Sequence, residues 1–256
     1  MTRLLSGVAM AAVALAAILF LPLPALRVVA CAVAVLATHE FLRITVAADA
    51  VTRWGMSIAV VGVCWRVSEA PLNAMIVLML MLAIVAIQVL FRGRTVQQAA
   101  TEAFAPVYIA IPLGLLVAVH AIHGWQATLL LIGTVVVSDS AQYYTGRAFG
   151  RRPLAPAISP KKTIEGAIGG MVVGAVFMLV AGTAVLPPAS PVWLFFLGLA
   201  MVMFGICGDL FESRLKRIAG VKDSSDLIPG HGGVLDRIDA LLFVTPAFYL
   251  AVRALA

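Results

Sequence analysis

The sequence predicts an all-α, polytopic integral membrane protein with about nine transmembrane helices, and three observations carry that expectation. Hydrophobic residues make up 62% of the 256 positions and charged ones only 12%, with a mean hydropathy of +1.07. Soluble domains are about half apolar and a quarter charged. The apolar residues come in runs of about 18 or more, close to the ~20 needed to cross a hydrocarbon core roughly 30 Å thick. Charged residues collect between these runs, with the basic ones on alternate loops.

Apolar stretches bounded by Pro, Gly or charge place spans near residues 4–22, 25–41, 54–68, 72–92, 103–122, 125–145, 164–186, 191–212 and 236–255. The first begins behind Arg3 and has the short basic start of a signal peptide. It is read as a retained span, because further spans follow and no polar domain does. The third is the shortest and holds Arg66. Pro22 and Pro24, and then Pro187, Pro188 and Pro191, mark tight turns between neighbouring spans. No internal repeat is visible. Cys31, Cys64 and Cys207 lie inside apolar runs without paired spacing, which suits packing and not a disulfide framework or zinc site.

Charge tests this order, because basic residues in short loops concentrate on the cytoplasmic side. One set of loops holds Arg3, Arg43, Arg53, Arg92, Arg94, Arg147, Arg151, Arg152, Lys161, Lys162, Arg214, Lys216, Arg217, Lys222 and Arg237. The other holds only Arg27, Arg66 and Arg253. Fifteen of the eighteen basic residues thus share the side of the N-terminus, which is expected to be cytoplasmic. The acids cluster there too, with Glu69 the exception, although acids have little influence on topology. Chemistry is the remaining reason to gather them.

Two cytoplasmic segments carry that chemistry. In the first, from Val137 to Gly166, Asp139 falls inside an apolar helix, where an ionised carboxylate costs several kcal/mol unless it meets a partner or a wet cavity. Gln142 and Tyr143 extend a polar face at helical spacing. An arginine pairing that only holds helices together is the competing explanation. Further on, Lys161 and Lys162 precede Thr163, a candidate cap for a helix starting near Ile164. Backbone donors at a helix start beside two ammonium groups make a phosphate-binding corner.

The second segment, from Gly208 to Asp239, is more specific. Asp209, Glu212 and Ser213 share a helix face at i, i+3 and i+4, as do Asp236 and Asp239 at i, i+3. Carboxylates of this kind suit magnesium, which takes a few oxygen ligands plus water and substrate phosphate. Lys216, Arg217 and Lys222 lie between them as cations for phosphate groups. Pro229, Gly230, Gly232 and Gly233 surround His231 and let the backbone approach a ligand closely.

At these residues the chain resembles the phosphatidate cytidylyltransferase (CDP-diacylglycerol synthase) family. The resemblance rests on Ser213-x-Leu215-Lys216-Arg217, Lys222-Asp223, Pro229-Gly-His231-Gly-Gly and Asp236-Arg237-x-Asp239, together with the Ser-Pro-Lys-Lys-Thr-x-Glu-Gly run from Ser159 to Gly166. It covers roughly the C-terminal half. Ser225 stands where many relatives have Gly, where it would stiffen the turn after Asp223, and Ala240 where Ser is frequent. On this reading residues 1–122 are N-terminal transmembrane helices. Residues 123–256 form a catalytic transmembrane region with cytoplasmic loops at 146–163 and 213–235.

The resemblance implies a reaction in which CTP and phosphatidic acid give CDP-diacylglycerol and pyrophosphate for phospholipid biosynthesis. It implies Mg2+ as cofactor, with room for a monovalent cation such as K+ beside it. Asp209 and Asp236 are expected to hold the magnesium, with Asp239 and Asp223 as additional ligands. Lys222, Arg237 and His231 join these carboxylates in catalysis. Asp139, Lys161, Lys162, Thr163, Ser213, Lys216 and Arg217 are expected to bind substrate. The partners implied are CTP, phosphatidic acid and the bilayer, with no nucleic acid and with a homodimer left open. The expected location is a bacterial inner membrane, with the N-terminus and active site cytoplasmic.

Three rivals remain. A polyprenol-type kinase or a CDP-archaeol-type synthase would use CTP on a different lipid, and an anionic-substrate transporter would also carry intramembrane carboxylates. Polar groups gathered at one face and not at mid-membrane count against the transporter. So does the missing internal repeat. His120 and His123, at helical spacing, suggest a proton path or metal site, but they lie near the outer interface far from the other polar groups, which favours interfacial packing. The Asp-Gly-x-x-Ala-Arg core of the CDP-alcohol phosphotransferases is absent.

Overall fold

A computed structural model describes residues 2–46, 48–70, 74–228 and 230–255, with side chains from residue 6 onward except at 74, 75 and 78. Pro229 and the side chain of Arg3 lie outside the described residues. The chain divides into two compact units, residues 1–121 with 219–237, and residues 122–218 with 238–256.

The first unit contains α1 (Thr2–Phe20), α2 (Leu23–Thr45), α3 (Ala50–Glu69), α4 (Ala74–Arg92), α5 (Val96–Ala105), a π-helical turn (Pro106–Ala110) and the first part of α6 (Ile111–Phe149). Local chemistry sets the boundaries. Pro22 and Pro24 start α2, since proline suits the first helical turn, where its missing donor is not needed. Asp49 caps α3 by accepting from the Thr52 amide. Thr95 and Gln98 form a reciprocal capping box at the start of α5.

Opposite ends of α3 are held by charge. Asp49 meets Arg92 at 2.8 Å and Arg94 at 3.1 Å, while Glu69 meets Arg27 at 3.3 Å and the Trp65 indole at 3.1 Å. The middle is apolar, with Phe41, Val60 and Ile109 fully buried and Phe41 packed on Tyr108. Cys31 and Cys64 are free thiols buried in this unit.

The second unit begins where α6 breaks. Gly124 has φ 79° and ψ −179° inside an otherwise continuous helix, a backbone state that a side chain would make costly. The expected division between the fifth and sixth spans falls at this residue. After α6 come two short strands, then α7 (Ile164–Val185), α8 (Pro191–Ile218) and α9 (Leu235–Arg253). Met178, Leu194 and Met201 fill the contact between α7 and α8.

Among the described residues, four helical runs are long and apolar enough to cross a membrane: Leu23–Thr45, Val96–Phe149, Ile164–Val185 and Pro191–Ile218. The 54 residues of Val96–Phe149 correspond to about 81 Å of helix, more than twice the hydrocarbon thickness. The described stretches Ser6–Phe20 of α1 and Met79–Arg92 of α4 are apolar as well.

Three details depart from expectation. The fold is all-α in its mass, but the segment expected as a loop at 146–163 contains an antiparallel hairpin, β1 (Pro153–Ala155) and β2 (Ser159–Thr163). Helix α8 continues to Ile218, so the next loop starts at 219 and not at 213. That loop packs in the first unit and not with the C-terminal region. The physical reason is a set of hydrogen bonds to α2, described below.

Candidate active site

The hairpin is where one site begins. The Ile164 amide donates to the Arg152 carbonyl, and the Glu165 carboxylate accepts from the Arg151 and Arg152 amides at 3.0 and 3.2 Å. The base of the hairpin is thereby tied to the first turn of α7. Thr163 caps that helix, its hydroxyl oxygen accepting from the Gly166 amide at 3.1 Å. Its tip is tied to the end of α8, where the Arg217 guanidinium donates to the Ile158 carbonyl at 3.3 Å.

This scaffold frames a cavity of about 390 Å3 whose lining includes Asp139, Gln142, Tyr143, Arg147, Lys161, Lys162, Thr163 and Asp209. Asp139 accepts from Gln142 at 3.0 Å. The Lys162 ammonium sits 2.5 Å from the Asp209 carboxylate, and Ser213 donates to the other Asp209 oxygen at 3.2 Å. Asp239 joins them because α8 and α9 touch at Gly208. A Cβ there would lie 2.6 Å from the Asp239 carbonyl, so only glycine allows this approach. Asp139 and Asp239 both lie within electrostatic reach of Asp209 and Lys162.

Not every expected residue points into this cavity. Lys216 is buried with its ammonium 2.7 Å from the fully buried Glu212, an i,i+4 pair inside the unit. Arg217 is committed in part to the hairpin. Both belong to the end of α8, where cations also complement the helix dipole.

The first unit holds a second polar cavity, also of about 390 Å3, within the loop 219–237. Lys222, Asp223, Asp226, His231 and Arg237 line it, and Ile228 is its one apolar side chain among the described residues. The loop closes on itself through the Ile228 amide to the Gly232 carbonyl at 2.8 Å and the His231 amide to the Ile228 carbonyl at 2.9 Å. His231 is also held from α1, its Nδ1 2.9 Å from the Ser6 hydroxyl. Asp236 accepts on one oxygen from the Ser224 amide, the Ser224 hydroxyl and the Gly233 amide at 2.8–2.9 Å. Its carboxylate therefore folds the loop, a task that spacing on a helix face does not suggest.

The residue missed by sequence reasoning is Glu40 of α2, only 6% exposed. One carboxylate oxygen accepts from the Ser225 hydroxyl at 2.6 Å and the Val234 amide at 3.0 Å. The other accepts from the Ser224 hydroxyl at 3.0 Å and the Leu235 amide at 2.7 Å. An ionisable side chain inside an apolar run is itself a pointer to function, and that was the available signal. Asp226, beside Asp223, was missed as well.

The four carboxylates expected to hold metal fall in different units, Asp209 and Asp239 in the second and Asp223 and Asp236 in the first. Among the described residues, no three His, Cys, Asp or Glu side chains form a ready-made metal cage. Magnesium does not require one, since it keeps waters and substrate phosphates as ligands. Asp139, Asp209 and Asp239 all lie near the Lys162 ammonium, and this set of carboxylate oxygens fits a hard divalent cation.

Comparison with known proteins agrees with the motifs. The model of the cytidylyltransferase family matches residues 1–255. The chain is 38% identical over 147 residues to a phosphatidate cytidylyltransferase of Bacillus subtilis, covering 57% of this chain and 55% of that protein. It is 45% identical over 130 residues to a phosphatidate cytidylyltransferase of Haemophilus influenzae, covering 49% and 45%. An uncharacterized protein of Escherichia coli, YnbB, is 42% identical over 130 residues, covering 51% and 43%. The chain spans about half the length of the curated relatives it matches. With a family match running almost from end to end, the chain belongs to the cytidylyltransferase family.

Proposed function

We propose that this protein is a phosphatidate cytidylyltransferase that joins CTP and phosphatidic acid into CDP-diacylglycerol with release of pyrophosphate. The reading is supported above all by one cavity that collects Lys161, Lys162 and Thr163 from one motif and Asp209 from the other, around the Lys162–Asp209 pair. A phosphate oxygen of phosphatidic acid attacks the α-phosphorus of CTP, and pyrophosphate leaves from the opposite side. A phosphate monoester is already a competent nucleophile at neutral pH, so positioning and charge neutralisation are the main tasks.

Lys161 and Lys162 hold phosphate oxygens, and the capped start of α7 adds backbone donors. Lys222 and Arg237 carry exposed positive charge and are assigned to the triphosphate, with His231 and Asp223 beside them. Ser213 holds the Asp209 carboxylate in place. Asp209, Asp139 and Asp239 would hold Mg2+, which when bound supplies charge neutralisation on phosphate oxygens. Asp236 is assigned to shaping the loop that carries Lys222 and Arg237.

The membrane setting follows from the substrate, whose acyl chains stay in the bilayer while its phosphate reaches the interface. We take nine spans, α5 with the first part of α6 forming one and α6 being divided at Gly124, and place the N-terminus and the basic loops in the cytoplasm of a bacterial inner membrane. The test is direct. Purified protein given Mg2+, phosphatidic acid and CTP labelled at the α-phosphate should form labelled CDP-diacylglycerol and lipid-dependent pyrophosphate. Transfer of the γ-phosphate alone would identify a kinase instead, and the absence of any lipid-dependent pyrophosphate would overturn the assignment.

A further inference from the structure

We infer that Glu40, in α2 of the N-terminal half, is a positioning residue that sets the conformation of the nucleotide-binding loop 219–237; this inference rests on the cytidylyltransferase reading. Four donors converge on its carboxylate: the hydroxyls of Ser224 and Ser225 and the amides of Val234 and Leu235, at 2.6–3.0 Å. Two donors come from one end of the loop and two from the other, so a single side chain fastens both ends.

The chemistry favours a carboxylate at this point. Leu235 opens α9, and first-turn amides have no partner within their own helix. A negative charge there also complements the positive end of the helix dipole. Glu40 thus caps α9 from another helix. Gly233 gives it access, because a Cβ at that position would collide with the Ser224 hydroxyl and with the Glu40 carboxylate itself. Ser225 supplies the shortest of the four bonds.

The loop so held presents Lys222, Asp223, His231 and Arg237 to one polar cavity. With Ile228 its one apolar lining residue among the described residues, the cavity offers no purchase to acyl chains and suits a nucleoside triphosphate. Loss of Glu40 therefore loosens CTP recognition and leaves lipid recognition in place.

The test compares wild type with Glu40→Gln, Glu40→Ala and Ser225→Ala, each as the full chain in lipid nanodiscs. The first readout is amide hydrogen exchange. Val234 and Leu235 should exchange at least tenfold faster in Glu40→Ala, with α7 and α8 unchanged. The second is steady-state kinetics, where KM for CTP should rise about tenfold in Glu40→Ala while KM for phosphatidic acid stays within twofold. Glu40→Gln keeps the shape and one accepting oxygen, and should fall between Glu40→Ala and wild type. Ser225→Ala removes one donor to Glu40 together with the acceptor of the Leu227 amide, and should raise KM for CTP about threefold even if Glu40→Ala does not fold. Wild-type exchange at Val234 and Leu235 in the Glu40 variants, or an equal rise in both KM values, would overturn the inference. A wild type that makes no CDP-diacylglycerol defeats the enzyme reading and not the latch, because the exchange arm stands without turnover.

Discussion

Asp209 is the side chain on which the two motif segments meet, with Lys162 on one oxygen and Ser213 on the other. Replacing it with Asn keeps the shape and removes the charge. Turnover should drop at least ~100-fold, the usual scale for losing a group aimed at developing charge, while thermal unfolding in detergent stays within a few degrees of wild type. Near-normal turnover would end the metal and phosphate assignment. At this scale the sequence was informative where spacing alone decides contact: Ser213 lies four residues from Asp209 and bonds to it. It was less informative where the partner is distant. Nothing in the spacing of Lys216 says whether it faces substrate or Glu212, and nothing near Glu40 in the chain announces four donors about 185–195 residues away.

Elements place these groups through a few close contacts. Gly208 lets α8 touch the Asp239 carbonyl on α9, so Gly208→Val should force the helices apart. A cost of ~1–3 kcal/mol is expected from overpacking, together with a fall in turnover larger than the stability loss explains. A variant with wild-type activity and unfolding temperature would show that this contact is not needed. In the first unit, Asp49 caps α3 and its carboxyl is held below the usual range, first by the Thr52 hydrogen bond and further by Arg92 and Arg94. A lowered folded-state pKa means that the stabilisation is fully present above the unfolded value, about 3.9, and is lost as pH falls through the folded value. The gap in unfolding temperature between wild type and Asp49→Asn should therefore be present at pH 7 and close on acidification toward pH 3. A gap independent of pH would count against the ionised cap. Helix starts of this kind were legible in advance, as at Thr163. The hairpin at 153–163 was not, because its two strands are short and its register depends on backbone ties to Glu165.

For the whole molecule, the orientation proposed from loop charge makes a labelling prediction. In variants lacking the native cysteines, Ala157→Cys in the hairpin turn should react with an impermeant thiol reagent only from the cytoplasmic side. Ser190→Cys, between α7 and α8, should react only from the other. Labelling of both from one side would refute the topology. The sequence by itself determined the membrane class, the order of the helices and the two motif segments, because hydropathy, capping residues and i,i+4 spacing are local properties that need no partner. Tertiary structure alone decided that residues 219–237 belong with the N-terminal helices, and that Glu40 closes that loop by capping α9. The physical reason is that a buried carboxylate takes whichever donors folding brings to it, and those donors lie far away in the chain.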